Sequence, residues 1–296
     1  MSSYYGVNEY FKKRFGCKVY KLALEGGFTC PNRDGTLGTR GCIFCLDGSG
    51  AFAERVCPTL DEQIEKAKLR VADKAGKDAK YIAYFQSYTN TYAPLERLKA
   101  IYTPLTQRDD IAAISIGTRP DCLSDEVIGF LKELNDKKAV FVELGLQTIH
   151  PETARYIRRG YDVEVYNDAA VRLNAAGIEI ITHIILGLPN ESTEMMLESV
   201  AHACKYGKGI KLQLLHVLEG TDLAEDYKNG KFSVMSLEEY SALIKACVEI
   251  IPSDVVIHRL TGDGDKKHLL APLWSADKKR VINTINKNFF RGKFYG

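Results

Sequence analysis

The chain has 296 residues, 45% of them hydrophobic and 26% charged, with a formal net charge of +2. That balance is ordinary for a globular protein, leaves room for a large core and fits one α/β barrel. It excludes a membrane span, because no stretch approaches the ~20 consecutive apolar residues one needs, and residues Met1 to Tyr20 hold no apolar run of signal-peptide type. The expected location is therefore cytoplasmic, where the eight cysteines are thiols or metal ligands rather than disulfides.

In chain order, residues 1–17 form an N-terminal segment, and Lys18 to Leu24 alternates apolar and polar side chains as a strand does. Glu25-Gly26-Gly27 leads into a glycine-rich loop that ends near Cys57-Pro58. Thr59 and Glu62 form a capping box for a charged amphipathic helix reaching about Lys74. Tyr81–Phe85, Ile111–Ile116, Ala139–Leu146, Ile178–Leu186 and Ile210–Leu218 read as further strands. Between them come helical stretches: Leu95 to Leu105, shortened by Pro104; one capped by Ser124; Pro151 to Ile157; Val163 to Ala176; and Ser192 to Tyr206. Six strands alternating with helices predict parallel βα units, in a barrel or an open sheet, and no G-x-G-x-x-G follows the first strand. The polar and glycine-bearing segments all follow strands, so in a barrel they gather on the C-terminal rim. Residues 219–296 read as a small α+β extension, with a helix over Leu237 to Ile251 and a short strand at Val255 to His258.

The loop after the first strand carries Cys30, Cys42 and Cys45 in the spacing C-x11-C-x2-C. Three thiolates on a flexible loop are the protein share of a zinc or an iron–sulfur site. Cys57 follows Cys45 after another eleven residues, so a four-cysteine zinc site bracing a nucleic-acid-binding surface is the competing reading. Both chain ends interleave aromatic and basic residues: Tyr4, Tyr5, Tyr10 and Phe11 precede Lys12, Lys13 and Arg14, and Phe289 and Phe290 stand among Lys278, Lys279, Arg280, Lys287 and Arg291. Such ends are either solvated segments docked by their aromatics or an RNA-binding surface.

With Phe44 before the third cysteine, and with the runs Cys30-Pro31-Asn32-Arg33-Asp34-Gly35 and Leu144-Gly145-Leu146-Gln147-Thr148, the chain resembles the radical S-adenosylmethionine superfamily over roughly residues 15–220. More narrowly it resembles the YhcC/YtqA-type family, in the branch of the elongator catalytic subunit and oxygen-independent coproporphyrinogen oxidase. The resemblance implies a partial (β/α)6 TIM-like barrel over residues 18–218. It also implies a [4Fe–4S] cluster on Cys30, Cys42 and Cys45 with one open iron that S-adenosylmethionine chelates. One-electron cleavage would yield a 5′-deoxyadenosyl radical, with a reduced flavodoxin or ferredoxin as donor and tRNA or another RNA as an eligible substrate.

The resemblance also assigns cofactor contacts. Phe44 packs on the adenine, and Leu188 lies in the stretch Ile185-Leu186-Gly187-Leu188-Pro189 that edges it. Gln86 and Ser87 stand where relatives hold the amino group, and Thr118 lies beside Gly117, where many relatives carry a ribose-binding Glu. Glu143 faces the cofactor from the fourth strand, Gln147 reaches it from that strand's end, and Arg159 pairs with its carboxylate. His183 occupies a ribose-facing position on the fifth strand, with a hydrogen-bonded core histidine as the alternative. Arg259, Asp263 and Trp274 either line a substrate cavity or dock the extension.

Overall fold

The structure, a computed structural model, describes residues 4–46, 59–76, 78–262 and 264–291. Helix α1 (Val7–Phe15) precedes strand β1 (Val19–Leu24). Five βα units follow: α2 (Leu60–Leu69), β2 (Lys80–Phe85), α3 (Leu95–Tyr102), β3 (Ile111–Thr118), α4 (Asp125–Asn135), β4 (Ala139–Gln147), α5 (Pro151–Tyr156), α6 (Val163–Ala175), β5 (Glu179–Leu186), α7 (Thr193–Tyr206) and β6 (Gly209–Leu214). The remainder is β7 (Val217–Leu218), α8 (Asp222–Lys228), α9 (Leu237–Ile250), β8 (Val256–Arg259), β9 (Leu269–Ala271) and α10 (Lys278–Arg291).

The capping residues set the helix starts as their chemistry dictates: Thr59 accepts from Glu62 N, Ser124 from Val127 N and Ser192 from Met195 N. Pro104 does end α3, which gives way to a short 3-10 turn from Pro104 to Gln107.

All pairings in the main sheet are parallel, in the order β1-β2-β3-β4-β5-β6-β8. The expected six strands are therefore joined by a seventh from the extension, the short run at Val256 that follows α9. The run Ile210 to Leu218, expected as one strand, breaks at Leu215-His216, and its second part pairs antiparallel with β9. The sheet curls into a partial barrel. Lys21 on β1 reaches Glu143 on β4, three strands away, at 2.7 Å, and Lys211 on β6 reaches Tyr84 on β2 at 2.9 Å. Only a closed-over inner face permits such contacts.

The two faces of the strands divide the work. Outward residues such as Leu22, Ile114, Val142, Ile184 and Leu212 bury against the helices in the large core. Inward residues form layers, because side chains alternate along a strand. The lowest layer is apolar: Ile82, Ala113, Phe141 and Ile181, stopped by Phe11 of α1. Arg14 and Tyr10 of the same helix fix this plug to Glu179 at the start of β5. Tyr4 meets Phe289 of α10 at 5.8 Å between ring centroids, so aromatics from both chain ends dock on each other. Trp274 packs on Tyr240 and donates to Met235 O at 2.9 Å, which assigns it to docking the extension. Asp263 and Cys57 lie outside the described residues, among which no helix is long and apolar enough to cross a membrane.

Candidate active site

The cysteine loop leaves β1 and lies over the C-terminal rim, held from three directions. On one side Thr89 N donates to Thr29 O, and Thr36 Oγ1 and Tyr92 OH stand 2.8 Å apart. On the other, Ile43 N donates to Ile157 O and Leu223 N to Ile43 O, which wedges the loop between α5 and α8. Beneath it Asn32, 6% exposed, sends Nδ2 to Arg158 O at 2.8 Å, Arg159 O at 3.3 Å and Cys42 Sγ at 3.4 Å. Gly160, at φ +84°, has to lack a side chain, since a Cβ there would stand 2.9 Å from Asn32 Oδ1.

Cys30, Cys42 and Cys45 are all partly exposed free thiols. Burial pushes the Cys42 thiol up to about 11, and the neighbouring charges of Cys45 and Cys30 push the same way. Among the described residues no three ligating side chains already converge on one metal-sized point. What fits a cluster is the donor chemistry. Three soft thiols close enough to feel one another ionise together only against a cationic centre, and the Asn32 amide supplies the N–H···S contact that outer-shell groups give such ligands. The four-cysteine zinc reading needs Cys57, outside the described residues, and nothing in the comparisons below supports it.

The other expected contacts surround this loop. Phe44 and Leu188 fall in one apolar cluster with Ile43, Ile185 and Leu215, so an apolar wall flanks the third cysteine. Ser87 is 1% exposed and its hydroxyl has no hydrogen-bond partner, an unsatisfied buried group directly after β2. Gln86 beside it is partly exposed. Tyr88, at φ 60°, holds a conformation that bulky residues seldom adopt, and Gln147 does the same at φ 61°. The Gln147 amide folds back over Gly145, where a Cβ would stand 2.6 Å from Nε2, and its Oε1 lies 3.1 Å from Tyr161 OH. Thr118 is buried, 2.5 Å from Thr91 Oγ1.

Arg159, expected to pair with the cofactor carboxylate, is 2% exposed and engaged elsewhere. Its Nε donates to Tyr161 O at 2.9 Å and its Nη1 to Leu146 O at 2.8 Å and to Thr148 O, while the guanidinium stacks on the Tyr161 ring. In this arrangement it braces the end of β4. Arg119 stacks on the same ring, pairs with Asp121 and donates to Arg159 O.

Glu143 and His183, expected to face the cofactor, lie deeper and bond to each other, Nε2 to Oε2 at 2.9 Å. Glu143 is 1% exposed and accepts from Lys21, Ser115, Lys211 and His183; against the upward push of burial, the two lysines and His183 hold its carboxyl well below the usual range. Burial lowers His183 to about 4, so its ring is neutral and its Nε2–H donates. The two lysines escape a reading by motif. The signal that would find them is the polar face of β1 and β6, which in a helix-covered barrel points into the lumen.

The Radical SAM superfamily model matches residues 35–203, and the Radical_SAM C-terminal domain matches residues 208–291. The uncharacterized protein YtqA of Bacillus subtilis is 43% identical over 299 residues, covering 99% of this chain and 92% of the relative. A tRNA uridine(34) acetyltransferase of Methanocaldococcus infernus is 31% identical over 162 residues, 53% of this chain and 30% of that protein. Among solved structures, the archaeal Methanocaldococcus infernus Elp3 with N-terminus deletion matches with a TM-score of 0.66 at 20% identity, covering 91% of this chain and 63% of that one, a likeness of fold. With most of its length matched and its strands in the same partial barrel, the chain belongs to the radical SAM superfamily, which uses a [4Fe–4S] cluster and S-adenosylmethionine, and stands there with YtqA and the Escherichia coli protein YhcC.

Proposed function

We propose that this protein is a radical S-adenosylmethionine enzyme that acts on an RNA, with tRNA the first class to test. One observation carries the enzyme reading: a three-thiol loop lies over the C-terminal rim with an apolar wall (Phe44, Leu188), and the segment after β2 on that rim holds a buried, unpartnered hydroxyl (Ser87). Thiols alone could serve structure, but an apolar wall and an unsatisfied hydroxyl on the same rim suit a small molecule with an aromatic and a polar end. When bound, the cluster and S-adenosylmethionine supply a one-electron sulfonium cleavage that yields a hydrogen-abstracting 5′-deoxyadenosyl radical.

This chain's residues bind, orient and shield. Cys30, Cys42 and Cys45 hold the cluster. Phe44 and Leu188 flank the adenine, while Gln86, Ser87 and Gln147 offer polar contacts from the ends of β2 and β4. Thr118 lies on the ribose side. Arg159 is a positioning residue that fixes the Leu146–Thr148 carbonyls from behind. The electron comes from a reduced flavodoxin or ferredoxin type donor.

The RNA part rests on the Methanocaldococcus infernus relative, a tRNA uridine(34) acetyltransferase, and not on the aromatics of the chain ends, which dock on one another and plug the barrel. Acetyl transfer itself is not carried over, since the shared stretch is 30% of that protein. Two measurements test the reading. Anaerobically reconstituted protein should hold four irons with labile sulfide and release 5′-deoxyadenosine on reduction with S-adenosylmethionine; a single zinc without sulfide would refute it. Nucleoside profiling of RNA from cells lacking the protein should show a missing or accumulated modified nucleoside, and an unchanged profile would remove RNA as substrate.

A further inference from the structure

The middle layer of the lumen sets two lysines against one carboxylate. Lys21 (β1), Tyr84 (β2), Ser115 (β3), Glu143 (β4), His183 (β5) and Lys211 (β6) meet there, all pointing inward. Glu143 is saturated: Oε1 accepts from Lys21 at 2.7 Å and Ser115 at 2.8 Å, and Oε2 accepts from Lys211 and from His183 at 2.9 Å. A carboxylate has about four acceptor sites, so it can take no further donor. The two ammonium groups, each 4.7 Å from the Tyr84 ring centroid, keep N–H groups to spare. Lys211 also donates to Tyr84 OH.

Two lysines therefore share one carboxylate in a layer where the Lys211 side chain is 3% exposed and Lys21 25%. Burial lowers Lys211 to about 7, and the charges of Lys21 and Arg259 press the same way against Glu143. His183 is neutral, and so is His258, held well below its ordinary value chiefly by burial. A buried ammonium beyond what the local carboxylate neutralises is costly, so Lys211 gives up its proton near neutral pH unless a second anion joins the layer and holds it there. Above this layer the next inward positions are Ala23 and Gly117, which present little side chain, Gly145, over which the Gln147 amide folds, and the larger Gln86, Ile185 and Gln213. Glu143 precedes Gln147 at the rim by four residues, about 13 Å along a strand, so the layer is a floor beneath the cofactor contacts rather than one of them.

We infer that Lys21 and Lys211 receive an oxyanion, a carboxylate or a phosphate, carried by the group of the substrate that enters the barrel. This rests on the lumen being the substrate cavity of a radical S-adenosylmethionine enzyme, and it narrows that reading to an anionic target group.

The test titrates acetate and, separately, inorganic phosphate into reconstituted protein with and without S-adenosylmethionine, at ionic strength fixed with chloride, read by calorimetry and by thermal unfolding. Wild type should show saturable binding with the cofactor present. Binding of acetate alone identifies a carboxylate, and of phosphate alone a phosphate group. Lys21→Gln, at the more exposed lysine, should weaken it at least tenfold, as should Lys211→Met where that variant folds. Glu143→Gln removes the competing charge and should tighten binding several-fold, whereas lysines that serve only Glu143 would bind no anion in any variant. Absence of saturable binding, no tightening in Glu143→Gln, or binding lost when S-adenosylmethionine is added would overturn the inference. Because the titrations use neither RNA nor turnover, an unchanged nucleoside profile would remove the RNA reading and leave the anionic floor in place.

Discussion

Asn32 is the residue on which the cysteine loop turns, and its replacement tests whether the loop is a cluster-binding device. Its Nδ2 faces three acceptors: Arg158 O, Arg159 O and Cys42 Sγ. Asn32→Ala removes the two carbonyl bonds, each contributing about 1 kcal/mol net, and leaves those carbonyls less satisfied, so the loop should loosen by roughly 2–3 kcal/mol. At about 1.4 kcal/mol per tenfold, the loop opens roughly 30- to 100-fold more often. Asn32→Asp keeps the shape but turns the donor into a carboxylate facing two carbonyls and a sulfur, which costs more than the alanine. Gly160→Ala attacks the same joint from the far side, with a Cβ 2.9 Å from Asn32 Oδ1 at φ +84°. The assay is iron and sulfide per chain after anaerobic reconstitution, followed by the rate of cluster loss in air, with circular dichroism as a control for the fold. Cluster retention should fall in the order wild type, Asn32→Ala, Asn32→Asp. An aspartate variant that keeps its cluster better than the alanine variant would refute the reasoning, because only a donor role for this side chain predicts that order.

Ser87→Ala deletes a buried hydroxyl that has no partner in the protein, so unfolding should be unchanged or slightly later without cofactor, while S-adenosylmethionine binding by calorimetry weakens several-fold. Lys211 has its ordinary value of 10.5 lowered to about 7, so the cost of burying its charge is present in full below pH 7 and is relieved as pH rises from there towards 10.5. Urea unfolding should therefore show stability rising across that window, and Lys211→Met should flatten the rise. Glu143 is lowered, so its contribution is present above the ordinary carboxylate value and lost as pH falls through its folded value; Glu143→Ala, which strands two lysines, should cost about 3–5 kcal/mol by the same urea measurement at pH 7. Cys45→Ala should abolish iron binding while leaving the far-ultraviolet circular dichroism intact, since its thiol supports no element of the barrel.

The barrel was legible because its strands are short, apolar and separated by helices, three of which carry a side-chain cap, so local chemistry and tertiary packing agree. Thr59, Ser124 and Ser192 cap where their spacing predicts. The short strand expected at Val255 to His258 forms as Val256–Arg259, but its place in the main sheet was not legible, since it lies beside β6 with α9 packed against α7 and α10. Helix α10 was hidden for a different reason. Its Lys and Asn residues read as a solvated end, yet Val281 and Ile285 on one face bury into the core. At the site, motif and strand position were enough to find the three cysteines on one loop and the two apolar residues, Phe44 and Leu188, that share a cluster. Arg159 could not, because whether a guanidinium faces a ligand or a backbone carbonyl is decided by the turn after α5, where Arg158 at φ 55° and Gly160 at φ +84° send the chain back beneath the loop.

Lys21 and Lys211 escaped for the most instructive reason. In Val19-Tyr20-Lys21-Leu22-Ala23-Leu24 the alternation looks like that of a half-exposed strand, with lysine towards water. That inference assumes an open face. Here helices bury the apolar side, and the polar side closes onto itself, so the alternation that marks a surface in a sandwich marks an interior in a barrel. The lysines then become the informative residues. A strand that puts an ammonium into a closed lumen incurs a desolvation cost that an apolar residue would avoid. Glu143 offsets that cost for one of the two. The chain thus carries, beneath the rim, two lysines that share one carboxylate, and Lys211 meets the remaining cost by holding its proton less tightly than a free lysine does.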